Sequence, residues 1–506
     1  MRNLLFSFLS LLIVQLCDAQ SRLEILGADA LQFSQRNGMK VTRLIGNVKL
    51  KQDETLMNCD SAYKFEDKNY VEAYGHVLIN HEDSLFLYGD ELEYDGNQRK
   101  AKLRGNARMT EKDFTLTTTD IDFDLNAGRA DYHNGGRITG NSGVLTSAFG
   151  YYYTRSKDFF FKKNVVLEHP DYTISSDTLR YQTITGICYF YGPTHIISKQ
   201  DKLYCEAGWY NNQKQTAFFS KNAVVKSEEN TIYADTLFYD RKIKSGKAYS
   251  NVELVDTINK TIVYGNYAWL NGLNKQSYVT GQAIARQFAD ADTMNIIADT
   301  LYIFQKTPMQ PQMIKAYYHT KVYKNDLQAV CDSMVYNTDD SVITLYNKPV
   351  LWSGLNQITA DTILLFVRKQ QLDSFYLNNN AFMVSRLAAK EFNQVKGKNM
   401  KGMFESNKMK YLRVYGNGQS IYYATEDSAA LGVNVISCSE MEFSFKQNKI
   451  YRSNFITQPD AVFYPLNELK PEELRLKGFS WKQAQRPDKV AIKMRMAKKM
   501  LHLYKF

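Results

Sequence analysis

Gly75-His76-Val77-Leu78-Ile79 and, ten residues on, Gly89-Asp90-Glu91-Leu92-Glu93-Tyr94 carry the pattern that decides the fold. The first stretch joins a turn dipeptide to an alternating apolar run: Gly and its neighbour tolerate φ > 0, and Val77 and Ile79 share one side of a strand. The second is a small residue, an acid, and then Leu and Tyr two and four residues after the acid, again on one strand face. Both recur. The turn returns at Gly46-Asn47-Val48, with Leu50 continuing its strand, and at Gly105-Asn106-Ala107, Asn164-Val165-Val166, Asn222-Ala223-Val224 and Asn251-Val252. The acidic segment returns at Ser176-Asp177-Thr178-Leu179-Arg180-Tyr181, Ala234-Asp235-Thr236-Leu237-Phe238-Tyr239 and Cys331-Asp332, and in looser form at Cys59-Asp60, Thr119-Asp120, Ala298-Asp299 and Ala360-Asp361. The acidic position falls at residues 60, 90, 120, 177, 206, 235, 299, 332 and 361, mostly 29 to 33 residues apart. Strands separated by turns, with no helical stretch between them, exclude βαβ architecture. Fixed spacing over this length predicts an all-β, extended antiparallel array of stacked units.

The repeat accounts for the cysteines. Cys59, Cys205, Cys331 and Cys438 stand immediately before the acidic position or its equivalent, where Ala234, Ala298 and Ala360 stand in other units. The slot takes a small, weakly polar side chain, and Cys serves as one. No CxxC and no Cys/His pair at metal spacing occurs, so no metal is expected. The Asp series could be a calcium ladder, but calcium needs six to eight oxygens and each unit supplies one acid. The expected role is structural, each Asp accepting backbone N–H groups at a turn.

Composition agrees with strands: 35 Tyr and 28 Phe against only 9 Pro in 506 residues. Mean hydropathy is −0.42 and no apolar run approaches the length of a membrane-spanning helix. Residues 1–19 read as a signal peptide, with Arg2 as the positive region, Leu4 to Leu16 as the apolar region and Cys17-Asp18-Ala19 before the cleavage point. Lipidation at Cys17 is the competing reading, with Leu16 a poor residue to precede it. Export follows from either. The net charge is +10, and residues 466–506 hold 11 Lys/Arg against 4 Asp/Glu. Val490, Met494, Ala497, Leu501 and Tyr504 share one helical face there, with Asp488 as an N-cap, predicting a short basic helix for a membrane surface or a partner; a frayed extension is the alternative. The expected domains are 1–19 signal peptide, 20–380 β repeats, 381–465 a C-terminal β region with a looser pattern, and 466–506 the basic tail.

Catalytic signatures are missing: no GxSxG, HExxH, P-loop or helix-opening GxGxxG occurs, and the seven histidines occupy unrelated repeat positions. No enzyme activity and no cofactor are expected. The stripe of Val48, Leu50, Val77, Ile79, Leu92, Tyr94, Leu179, Tyr181, Leu237 and Tyr239 is first of all a core. If the array folds into two facing sheets, the same stripe lines a channel wide enough, when spread, for acyl chains.

The alternation of Gly-Asn-Val turns with small-Asp-x-Leu-x-Tyr segments resembles the OstA-like family, which contains the periplasmic lipopolysaccharide-transport bridge protein and the periplasmic domain of its outer-membrane partner. Val395-Lys396-Gly397-Lys398-Asn399-Met400, Tyr415-Gly416-Asn417-Gly418-Gln419-Ser420-Ile421-Tyr422-Tyr423, Phe463-Tyr464-Pro465 and Leu476-Lys477-Gly478-Phe479-Ser480-Trp481 are similar to the long OstA-like proteins of Bacteroidetes-type bacteria. The resemblance implies a β-jellyroll open along one side with lipid A acyl chains inside. It also implies head-to-tail edge pairing with other transport components, residence in the periplasm of a Gram-negative bacterium or at its outer membrane, and no nucleic-acid partner. It offers no catalytic residues to carry over. The rival expectations are a structural envelope array binding protein or polysaccharide without lipid, and a β-helix enzyme acting on polysaccharide.

Overall fold

The computed structural model describes residues 21–488 apart from 37, 141–142, 289–291, 369–370, 389, 407, 427–428, 447–448, 467 and 469–472. The expected signal peptide and the helical stripe from Val490 to Tyr504 lie outside the described residues. Among the described residues strands alternate with short hairpins and pair antiparallel, as Tyr70–His81 does with Leu85–Asp95. The chain divides into two compact units, Met1–Lys199 with Asn211–Gln213, and Gln200–Tyr210 with Lys214–Phe506.

Most of the turn dipeptides bend a strand without ending it; at Gly105-Asn106 the strand Lys100–Arg104 ends and Arg108–Glu111 begins. Gly75 and His76 lie inside the strand Tyr70–His81 with φ of 76° and 42°. Tyr74 pairs with Glu91 and Val77 with Gly89, so the two left-handed residues face Asp90 alone. This is a β-bulge, which turns the strand sharply without breaking its ladder. Gly46-Asn47, Gly105-Asn106, Ser250-Asn251 and Asn379-Asn380 repeat the pair of positive φ values. The sequence reading of these dipeptides as turns that start a strand is therefore corrected at Gly46, Gly75, Asn164, Asn222 and Asn251, and holds at Gly105-Asn106. True reversals fall between them, at 53–54, 82–84 and 112–113 on one margin and at 66–69, 96–99 and 125–128 on the other.

With two bulge residues opposite one, the inward face of this strand stays inward across the bend. In Tyr70–His81 the buried residues are Val71 and Ala73 before it and Val77 and Ile79 after it. Each strand thus gives one half to each of two half-sheets that meet at a column of bends. Side chains of the two halves touch, as the Tyr94 hydroxyl does with Gln52 and the Phe123 ring with His81. Each unit is an antiparallel β-jellyroll with its core between the half-sheets. The backbone ladder closes it at the bends and leaves it open between the two hairpin margins.

In the second unit one half-sheet is covered on both faces. After the last strand, Asp460–Pro465, the chain returns as a strap across its outer face. Gln394 donates to the carbonyl of Leu474 and accepts from the N–H of Leu476, each at 2.9 Å. Gln357 does the same for Ser480 and Lys482 at 2.6 Å, and Arg486 Nε donates to Gln328 at 2.7 Å. All three glutamines are buried. Leu476, Phe479 and Trp481 pack on Phe382, Val384 and Phe392, and Leu474 reaches Ile421 and Tyr423. Between 473 and 488 only the single turn Gln483–Gln485 is helical.

Candidate functional site

The inner face forms apolar rows that cross strand after strand. In the second half-sheet of the first unit, Leu50 pairs with Met57, Met57 with Ile79, Ile79 with Leu87, Leu87 with Met109 and Met109 with Leu116. The facing half-sheet runs Val71, Tyr94, Ala101, Phe123 and Ala130 to Tyr152. Of the ten residues expected on this face, Val48, Leu50, Val77, Ile79, Leu92, Tyr94 and Leu179 are buried in the first unit and Leu237 and Tyr239 in the second. Tyr181 is half-buried, being next to last in its strand and close to the reversal at 183–186. The period-two pattern therefore brings the expected residues together on the core side of each unit.

What the pattern could not show is how the open side is spanned. Tyr94 donates to Gln52 Oε1 at 2.7 Å, and Gln52 Nε2 donates to the carbonyls of Gly96 at 2.9 Å and Ser21 at 2.6 Å. Arg99 forms an ion pair with Asp53. Further along, Glu111 accepts from the Tyr152 hydroxyl and pairs with Lys157. Apart from Ser21, which precedes the first strand, the partners come from opposite margins, so the mouth is crossed by side chains and not by a backbone ladder. Burial pushes the Tyr94 and Tyr152 hydroxyls well above the ordinary tyrosine range, and the Glu111 carboxylate adds to the effect at Tyr152. Both remain donors at any physiological pH. Arg99, Lys112, Arg155 and Lys157 place four cations on these margins. Asp53, Gln52 and Glu111 carry no repeat signature, and their role is legible only from the fold.

The acidic ladder runs along the bends, on the side away from the mouth. Asp90 accepts from Asn106 Nδ2 at 2.7 Å, Asp120 from Asn134 at 2.8 Å, Glu206 from Asn222 at 2.9 Å, Asp235 from Asn251 at 2.8 Å and Asp361 from Asn380 at 2.9 Å. His76 and His319 take the amide's place against Asp60 and Asp299, each at 2.8 Å. Except at Asp120, whose partner Asn134 precedes Gly135, the side chain of the second bulge residue is thus the partner, where backbone N–H groups were expected. The first bulge residue is glycine where the acid leaves no room: a Cβ on Gly75 would lie 2.3 Å from Asp60 Oδ2. Among the described residues no group of three or more His, Cys, Asp or Glu could hold a metal ion.

The cysteines among the described residues are free, and Cys59, Cys188, Cys205 and Cys438 are buried. Burial raises the thiols, Cys59 to about 11 and Cys205 and Cys331 to about 12, with the adjacent acid adding to the effect in all three. A thiol held protonated is a poor nucleophile and a poor ligand.

Comparison with known proteins falls on the same family. The model for OstA-like proteins matches residues 20–177 and 173–235. The model for the LptA/(LptD N-terminal domain) LPS transport proteins matches residues 263–371. No curated protein matches the chain. Among solved structures, LptH, the LptA homologous periplasmic component of the conserved lipopolysaccharide transport device from Pseudomonas aeruginosa, is 11% identical with a TM-score of 0.20, over 22% of this chain and 80% of its own. The WD40 domain of SCAP from fission yeast is 8% identical with a TM-score of 0.11, over 82% of this chain and 96% of its own. At those scores neither structural likeness bears on fold or function.

Proposed function

The chain belongs to the OstA-like lipopolysaccharide-transport proteins, and from that premise we propose that it carries lipopolysaccharide through the periplasm of a Gram-negative bacterium, with the lipid A acyl chains held between its two half-sheets and no reaction catalysed. The observation that carries this reading is the pair of apolar rows facing each other across a mouth spanned by side chains alone. Admitting a chain means parting a few polar contacts at the margins while every backbone ladder stays intact. An exposed ion pair is worth about 0–1 kcal/mol and a neutral hydrogen bond about 1 kcal/mol. Burying a twelve-carbon acyl chain is worth on the order of 10 kcal/mol. The balance favours spreading the half-sheets around a lipid. The margin cations Arg99, Lys112, Arg155 and Lys157 then stand where the phosphorylated head group emerges.

Edge pairing with neighbouring transport components belongs to the same reading. The strand Ala30–Arg36 is exposed along its whole length, with Phe33 81% exposed, and such a strand can take up a partner strand. The test is site-specific photocrosslinking from inward positions Val77 and Leu92 in chain exposed to lipopolysaccharide, with outward Leu78 as the control. Lipid attached at Val77 and Leu92 and not at Leu78 supports the groove. Lipid at Leu78 alone, or protein or polysaccharide with no lipid at any position, sinks it in favour of a structural envelope array.

A further inference from the structure

The outer face of the strapped half-sheet carries a second apolar cluster beyond the strap's end. Tyr264, Ile284 and Ile297 are cross-strand neighbours in a row, with Ile262 and Tyr323 against them. Their sequence neighbours Val263, Ala285 and Ile296 point into the core and are buried as well, so this part of the sheet, like that under the strap, is apolar on both faces. The strap runs towards it. Arg486 is bonded to Gln328, whose cross-strand neighbour is Tyr323, and Arg486 and Asp488 both act on the Tyr323 hydroxyl by their charge. Residues 489–506 follow directly.

We propose that residues 489–506 dock on this outer cluster, so that the chain's own C-terminal segment, and not a membrane, covers it. The segment fits in pattern and in length. At helical spacing Val490, Met494, Ala497, Leu501 and Tyr504 form one stripe about 21 Å long. The cluster spans four strands, about 14 Å from first to last. The sequence offers a charge match. Glu253, the cross-strand partner of Tyr264, is a buried carboxyl at the far edge of the cluster. Burial alone pushes it up to about 7. Lys493, Arg495, Lys498 and Lys499 are carried by the incoming segment.

The test uses the full chain with benzoylphenylalanine at Tyr323 and, separately, at Ile262, irradiated with and without phosphatidylglycerol vesicles. Docking predicts crosslinks from both positions to peptides within 489–506 of the same chain, unchanged by vesicles. It also predicts at least about tenfold less crosslinking in the variant M494E/L501E. Vesicle flotation of both proteins completes the test: equal, weak flotation supports docking. Crosslinks to lipid, crosslinks to neither, or flotation of the parent chain that the double variant loses would overturn the proposal.

Discussion

A methyl group at residue 75 would meet Asp60 Oδ2 at 2.3 Å in a backbone held at φ +76°. Gly75→Ala should therefore lower stability by about 1–3 kcal/mol, and Asp60→Ala should restore part of the loss by clearing the space, both read from denaturant unfolding. That these dipeptides are left-handed was legible, because Gly and Asn are the residues that tolerate it. That they bend a strand was not. The partner acid lies 16 residues away for Asn106, and a positive φ alone does not say whether the chain reverses. Glu253 makes a second test at this scale. Its carboxyl is raised by burial from 4.5 to about 7, so the folded state holds a proton that the unfolded state releases above 4.5. Stability is then fully present below pH 4.5 and falls as pH rises towards 7. Glu253→Gln should flatten that part of the profile of unfolding midpoint against pH.

Among elements, the strap explains where the sequence pattern fails. Alternation of buried and exposed residues identifies a strand only when one face is wet. Val350-Leu351-Trp352 and Ala381-Phe382-Met383-Val384 are buried at every position, since core lies on one side and, at Trp352 and Val384, strapped face on the other. The repeat loosens in sequence near Phe382 for this reason. Gln357 and Gln394 look unremarkable in sequence, yet each presents an amide that matches one C=O and one N–H of the strap. Replacing Gln394 by Leu leaves the Leu474 carbonyl and Leu476 N–H without that partner. It should cost about 1–3 kcal/mol and loosen the strap, seen as faster hydrogen exchange at Leu476. Trp481→Ala should cost about 2–4 kcal/mol by removing the ring from the Phe382, Val384 and Phe392 cluster.

At the scale of the whole molecule, the sequence pattern supplied the array and its inward stripe, while the mouth came only from three-dimensional pairing. Asp53 and Arg99, 46 positions apart, meet because their hairpins lie on opposite margins. Replacing both by cysteine should tie the margins together and abolish lipid crosslinking at Leu50, with reductant restoring it. The thiols of Cys59, Cys188, Cys205 and Cys438 are buried and will not interfere. The column of bends also imposes arithmetic on the chain's history. Strands that bring the left-handed pair alternate with strands that bring the acid, and each needs the other beside it. Excising the pair Thr55–Phe65 and Tyr70–His81 would set Leu85–Asp95 beside Met39–Gln52 with direction and bend chemistry both correct. Losing a single strand would set two like strands together, parallel and mismatched. Internal insertions and deletions in descendants of this protein should come two strands at a time and in no odd number, a parity rule that the interior of the array should obey across its relatives.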